Sequence, residues 1–514
     1  MKIILFSLLL ILSYGPAFAG YCGSWGATGS APWYVTTDSG GGTASATYAN
    51  INACVNTHSA PDDTINTTAT GTVDWDSNHL TIIRGVILVG PGRDNLTISS
   101  SAGTTGNGIV NIHPNATAIS DEETISIEGI TWDGEDAAFV ILDITGSDES
   151  ATKAFKNLII KDCRFKDTST SATATIYPRG QIRGVIANNI FDRCRVILKP
   201  MGNDSKTEWE NSAFNDFSYG SSDNLYFEDN TIQWSTSFSP SGYPGWIETG
   251  QGARVVVRYN TWNFTNTVNE DNVWDMHGFQ NWTGGAGGQT GTMISEYYGN
   301  ILTGIDEAFT WSGQRGSWAL VFNNRLTDTA SIVSLHARQH DAGCNDDVDA
   351  DWPPPNSQIT NSFYFNNWRN GSLLDANNDP WPAYNNDCAP DDDVDLFNYA
   401  AGCTTSDCQG GIGAGSSAPT GDCLLGTGYW VTSYSPATTP PTTMADMRTY
   451  IQAGDFYKCT STNTWEKYFE PYEYPHPLRD AAVVVPPNAI QGVSISELKV
   501  TDNLTAWNRT DGLR

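Results

Sequence analysis

The chain has 514 residues, only 16% of them charged, and a formal net charge of −30. That charge argues against a nucleic-acid partner, which needs a basic surface. It also opposes an acidic polysaccharide unless calcium or a local basic patch intervenes. Ten cysteines without a CxxC pair fit disulfides in an oxidising compartment better than a structural zinc site, with the connectivity left open.

The first residues, MKIILFSLLLILSYGPAFAG, carry Lys2, an apolar run Ile3–Leu12 and the small-x-small triplet Ala17-Phe18-Ala19. This pattern predicts a secretory signal over residues 1–19 and a mature protein starting near Gly20, at the cell surface or beyond it. The run is too short to span a bilayer, and no other stretch reads as transmembrane. Tyr21–Gly42 reads as an extended lead-in. Ala46–His58 places Tyr48, Ile51, Cys54 and Val55 at helical spacing and predicts a short amphipathic helix. Asp63-Thr64-Ile65, Gly71–Trp75, Leu80-Thr81-Ile82, Gly85–Val89 and Leu96-Thr97-Ile98 then read as short strands parted by turns.

From residue 157 onward a unit recurs, clearest in NLYFEDNTIQW (Asn224–Trp234) and RVVVRYNTWNF (Arg254–Phe264). The copies align on Asn189, Asn230, Asn260, Asn300, Asn324 and Asn366, with Cys163 in an earlier copy. Three residues before stand Ile160, Ile186, Phe227, Val257, Tyr297, Val321 and Phe363; two after stand Phe165, Phe191, Ile232, Trp262, Leu302, Leu326 and Trp368. Residues five apart on a straight strand face opposite ways. Both positions are apolar, so the chain must bend between them, and Asn tolerates the left-handed conformation that a sharp corner needs. Stacked corners would let the amides bond from copy to copy as a ladder. The intervals of 24 to 42 residues exceed the usual strand spacing of a sandwich, about 8–12 residues, and indicate stacked repeats.

The helix, the D-T-I, the Gly-Thr turn and the run G-V-x-L-x-G-x-G-R-x-x-x-T-I resemble the opening of right-handed parallel β-helix proteins of the pectate-lyase-like superfamily. The resemblance covers roughly Ala46 to Trp368. It implies an all-β solenoid whose N-terminal helix caps an open end. It also implies a substrate groove along the outer face of one parallel sheet, between long loops. In that superfamily lyases pair a basic residue with Ca²⁺ or a second cation on the uronate carboxylate, whereas hydrolases pair carboxylates. No motif here matches either set residue by residue, so none is carried over.

Candidate residues come instead from the unequal intervals, read as loops at Lys199–Asp223, Asn266–Gln289 and Thr327–Gln358. His277 in WDMHG, Arg315 in GQRG and Arg338 in LHARQHD offer an acid or base and carboxylate-binding cations. Asp275, paired with Glu248 or Glu307, would instead support a hydrolase. Trp274, Trp282 and Trp311 are flat apolar surfaces suited to sugar rings. Arg183 and Lys199 belong to a candidate basic patch with Arg179, Arg193 and Arg195. Asp391, Asp393 and Asp395 supply hard oxygen ligands for Ca²⁺ without an EF-hand frame. Each has a structural alternative: a turn histidine, solvated cations, loop packing or a solvated acidic loop.

Beyond Gly371 the repeat fades. Residues 371–482 read as a loop-rich, Cys-rich part packing on the solenoid, with a strand near Tyr429–Tyr434, a short helix at Thr443–Ala453 and an aromatic-Pro run at Tyr468–Arg479 that cannot be regular helix. Residues 483–514 read as a linker and tail, or the start of another β module. The expectation is a secreted parallel β-helix (residues 20–370) that binds and cleaves a polysaccharide as lyase or glycoside hydrolase. The alternative is a non-enzymatic surface or adhesion protein.

Overall fold

The computed structural model describes residues 19–102, 108–112, 123–138, 140–146, 155–169, 174–180, 182–200, 218–234, 246–250, 252–264, 272–276, 292–305, 309–314, 318–328, 333–337, 359–374, 376–378, 396–398, 412–432, 441 and 443–479. The expected signal (1–19, apart from Ala19) and tail (483–514) lie outside these residues.

Among the described residues the chain winds as a parallel β-helix with three long sheets of 14, 11 and 10 strands, here sheets 1, 2 and 3. Each turn of the coil contributes one strand to each sheet. Leu225–Glu228 lies in sheet 1, Thr231–Trp234 in sheet 2 and Trp246–Thr249 in sheet 3, and each pairs in parallel with its counterpart one turn later. The repeat unit found in the sequence is therefore the corner from sheet 1 to sheet 2. Both of its apolar positions do face one core: Phe227 and Ile232 are buried in it, as are Val257 and Trp262.

The corner is built differently in detail from the expectation. The left-handed residue is the one before the aligned Asn: Asp162, Asn188, Asp229, Tyr259, Gly299, Asn323 and Asn366 have φ between 52° and 68°. The following Asn turns its amide inward, where it bonds to the next coil. Asn189 Nδ2 donates to Asn230 Oδ1 at 3.0 Å, and the chain of bonds continues through Asn260, Asn300 and Asn324 to Asn367. The last copy thus aligns on Asn367, not Asn366. That shift moves Tyr364 into the core and turns Phe363 outward, because strand faces alternate residue by residue. Cys163 takes the ladder position in the earlier copy, its backbone N–H donating to Asn189 Oδ1 at 2.9 Å.

The N-terminal end is closed as expected. Helix α1 (Tyr48–Ala53) runs on into a wider turn at Cys54–His58, and Ile51, Cys54 and Val55 enter the solenoid core. The lead-in forms strands at Ala19–Gly23, Gly26–Thr28 and Ser30–Val35 that extend sheet 1, and Cys22 is disulfide-bonded to Cys54. The coil also runs past residue 370. Ala376–Asn378 joins sheet 3 and Leu396–Asn398 joins sheet 1, both parallel to the preceding turn.

The outer face of sheet 1 carries a second hydrophobic core. A four-stranded sheet (Ile412–Gly415, Gly428–Val431, Asp455–Ser461, Thr464–Phe469) and helix α2 (Met444–Gln452) belong to the C-terminal part, where Cys423 is bonded to Cys459. Trp430, Ile451, Phe456 and Phe469 from this part are buried with Tyr226, Val256, Tyr298, Phe322 and Phe365 of sheet 1. Thr443 caps α2 by accepting from the Asp446 N–H at 3.1 Å. The strands record the cover in their composition. RVVVR and ISEYY of sheet 1 are buried at every residue, whereas TWNF of sheet 2 alternates between core and solvent.

Candidate functional site

Sheet 1 offers no groove where the C-terminal part covers it. Residues 472–479 close over its outward charges: Arg258 and Glu228, both fully buried, form an ion pair at 2.7 Å. Arg258 also donates to the carbonyls of Tyr472 and Glu473 at 2.7 and 2.8 Å, and the His476 N–H donates to Glu228 at 3.0 Å. Burial holds the His476 imidazole down to about 3, so it stays neutral there.

Sheet 3 carries a row of polar residues. The register of its strands aligns one position from turn to turn. Asp143 lies opposite Tyr177; Glu248 lies opposite Asp275; Asp275 lies opposite Gly313, and Gly313 opposite His336. Lys199, directly after the strand Val196–Leu198, reaches Glu248 at 2.9 Å. Glu248 and Asp275 are 8% and 3% exposed, so a neighbouring charge acts on them through little water. The hydrolase pairing considered from sequence, Asp275 with Glu248, is thus brought onto adjacent strands. Glu307 lies outside the described residues.

The other candidates divide. His277, Arg315 and Arg338 lie outside the described residues. Each is nevertheless the next residue in sequence after one registered row, since Met276 pairs with Gln314 and Gln314 with Ala337. Trp274 is not a loop residue. It lies in the sheet 3 strand Asn272–Met276, fully buried, its ring 4.2 Å from that of Tyr297, so it is core and not a sugar-binding surface. The interval read as a loop contains a strand, with Val273, Trp274 and Met276 in the solenoid core. Trp311 lies in the strand Phe309–Gln314 of the same sheet, and Trp282 is outside the described residues.

The basic patch does not form. Arg183 stands on sheet 1 and pairs with Asp223 at 2.8 Å, while Lys199 is on sheet 3. Arg193 pairs with Asp167 at the corner between sheets 2 and 3, and Arg179 pairs with Asp143 at 2.6 Å. Each turn of the coil carries the chain around three faces, so these cations are divided among the sheets, with Arg179 and Lys199 together on sheet 3. Burial raises the Asp167 carboxyl to about 6 even though Arg193 pulls it down. Asp391, Asp393 and Asp395 lie outside the described residues, and among the described residues no three His, Cys, Asp or Glu side chains gather as metal ligands.

Sequence reasoning missed Asp143 and Tyr177. Their signal was alternation: LDIT and IYPR put these residues between core positions on strands of sheet 3. It also missed Glu228, Arg258 and Glu296, charges inside otherwise apolar strands. No described helix is long and apolar enough to cross a membrane.

No protein-family model matches the chain, and no curated protein matches it. A solved structure similar to it is described as a mannuronic acid specific polysaccharide family 6 lyase enzyme from human gut microbiota. The two are 11% identical over 62% of this chain and 71% of that one, with a TM-score of 0.34. So distant a likeness carries no argument, and the β-helix stands on the strand pairing described above.

Proposed function

We propose that this chain is an exported, pectate-lyase-like β-helix protein that binds a polysaccharide along the outer face of sheet 3 and cleaves it there. The observation that carries this reading is the registered pair Glu248 and Asp275 with Lys199 at 2.9 Å from Glu248. Adjacent strands lie about 4.8 Å apart, close to the roughly 5–5.5 Å carboxyl separation of a retaining glycosidase. Glu248, held in place by its ion pair with Lys199 at 2.9 Å, is proposed as the nucleophile. Asp275, one strand away, would then protonate the leaving glycosidic oxygen and later take a proton from the attacking water. The net charge of −30 favours a neutral glycan over a uronate polymer. His277, Arg315 and Arg338, each next in sequence to a residue of sheet 3, are proposed as groove residues, with Trp282 and Trp311 as sugar-stacking candidates. Calcium at Asp391, Asp393 and Asp395 belongs to the proposal as a structural ion.

The test is a panel of neutral and uronate polysaccharides given to purified protein, with Ca²⁺ or with chelator. New reducing ends report hydrolysis, and ultraviolet absorbance reports unsaturated lyase product. Glu248→Gln and Asp275→Asn are each expected to lower kcat by about 10²–10⁴-fold. Unsaturated product would replace the hydrolase assignment with a lyase. No product from any glycan would overturn cleavage and favour a non-enzymatic surface role.

A further inference from the structure

We infer that Asp143, Thr145, Tyr177 and Arg179 form a saccharide-binding platform on sheet 3, which holds a neutral sugar unit of a glycan laid along the solenoid axis. The inference rests on the reading of Glu248 and Asp275 as the cleavage pair and adds the site that fixes the glycan relative to them.

Tyr177 and Arg179 are alternate residues of one strand and point outward together, with Ile176 before them and Pro178 between them buried. The Arg179 guanidinium lies over the Tyr177 ring, 4.8 Å from its centroid. Asp143 and Thr145 stand opposite them on the preceding turn. Nη2 of Arg179 donates to both Asp143 oxygens, at 2.6 and 2.8 Å, and to Thr145 Oγ1 at 3.3 Å. All three bonds use one nitrogen, so Nη1 is left to donate elsewhere. The Arg179 side chain is 40% exposed, while Asp143 beneath it is 8% exposed.

This arrangement suits hydroxyls better than a carboxylate. The guanidinium charge is already offset by Asp143, which weakens its pull on a second anion. A sugar hydroxyl both donates and accepts, and the platform offers a guanidinium donor beside carboxylate and hydroxyl acceptors. The stacked ring and guanidinium add a flat, weakly hydrated edge for the C–H face of a pyranose. Tyr177 stands two strands from Glu248, so the bound unit lies about 10 Å from the carboxyl pair. That distance makes the platform a neighbouring subsite and not part of the cleavage chemistry.

The test compares wild type, Tyr177→Ala and Tyr177→Phe for retention in native gels cast with neutral polysaccharides. Steady-state kinetics on oligosaccharides of increasing length accompany the gels. Tyr177→Ala is expected to weaken retention roughly tenfold and to raise KM for long oligosaccharides more than it lowers kcat. Tyr177→Phe, which keeps the ring, is expected to retain binding. Should Tyr177→Ala fail to fold, Arg179→Gln takes its place. Cleavage with retention unchanged in the variants overturns the platform alone. Retention lost in Tyr177→Ala, with no cleavage by wild type, supports the platform and overturns the cleavage reading. No retention of wild type on any glycan overturns the platform, and cleavage is then decided by product formation alone.

Discussion

At the scale of single residues, buried polar side chains tie one turn of the coil to the next. Asn230 shows the mechanism. Its Nδ2 donates to the Ile186 carbonyl at 2.9 Å, and its Oδ1 accepts from the Asn189 backbone N–H at 2.9 Å, all of it buried. Truncation strands both backbone groups, each at about 1–3 kcal/mol. Asn230→Ala is therefore expected to cost about 3 kcal/mol, read as a lower midpoint in urea. Glu296 poses the opposite case. It is fully buried and accepts from the Gly220 N–H at 2.7 Å and Asn224 Nδ2 at 3.1 Å, with Arg254, Arg258, Tyr219, Tyr226 and Tyr298 around it. Burial raises its carboxyl to about 7, against the lowering effect of the two arginines. The native state keeps a proton that the unfolded chain gives up near the ordinary value of 4.5. This contribution to stability is thus full below that value, declines as pH rises towards 7, and is lost above it. Glu296→Gln keeps the acceptor and removes the titration. Its stability relative to wild type is expected to rise across that window, and an unchanged difference between the two would refute the assignment.

At the scale of elements, the decisive one is the strap of residues 472–479. Proline makes it irregular, so its backbone carbonyls are left without a ladder. Arg258 on sheet 1 supplies the missing donors at Tyr472 and Glu473, while Glu228 holds the Arg258 charge and accepts from His476. Removing one partner of a buried pair costs about 3–5 kcal/mol, since the other charge is left alone in the interior. Glu228 keeps Arg479 at 3.5 Å, so Arg258→Met is expected at the lower end of that range. The double variant with Glu228→Gln is expected to lose less than the single one, a coupling that a double-mutant cycle by urea unfolding would measure. A double variant as unstable as the sum of the singles would show that the two charges act independently.

At the scale of the whole molecule, two hydrophobic cores share sheet 1 as a wall: the solenoid interior on one face and the C-terminal part on the other. Cys163 and Cys194 sit in the interior as free thiols, each pushed up to about 12 by burial. Neither can form the thiolate while the coil is closed, so alkylation at about pH 8 should track unfolding of the solenoid. Mass spectrometry that finds either residue labelled in the native protein would contradict this. The sequence by itself determined the coil, because apolar positions at −3 and +2 around a corner Asn repeat a local geometry that every turn must satisfy. It also carried Glu248 and Asp275 as a candidate pair. It misplaced the last corner by one residue, since Asn366 and Asn367 are chemically alike and only the strand register tells them apart. Only the tertiary structure decided which face each side chain occupies: Trp274 in the core, Arg183 and Lys199 on different sheets, Glu248 opposite Asp275. The reason is that the interval between corners varies from turn to turn. Separation along the chain therefore does not fix separation in space, and residues meet through the stacking of turns and not through their order.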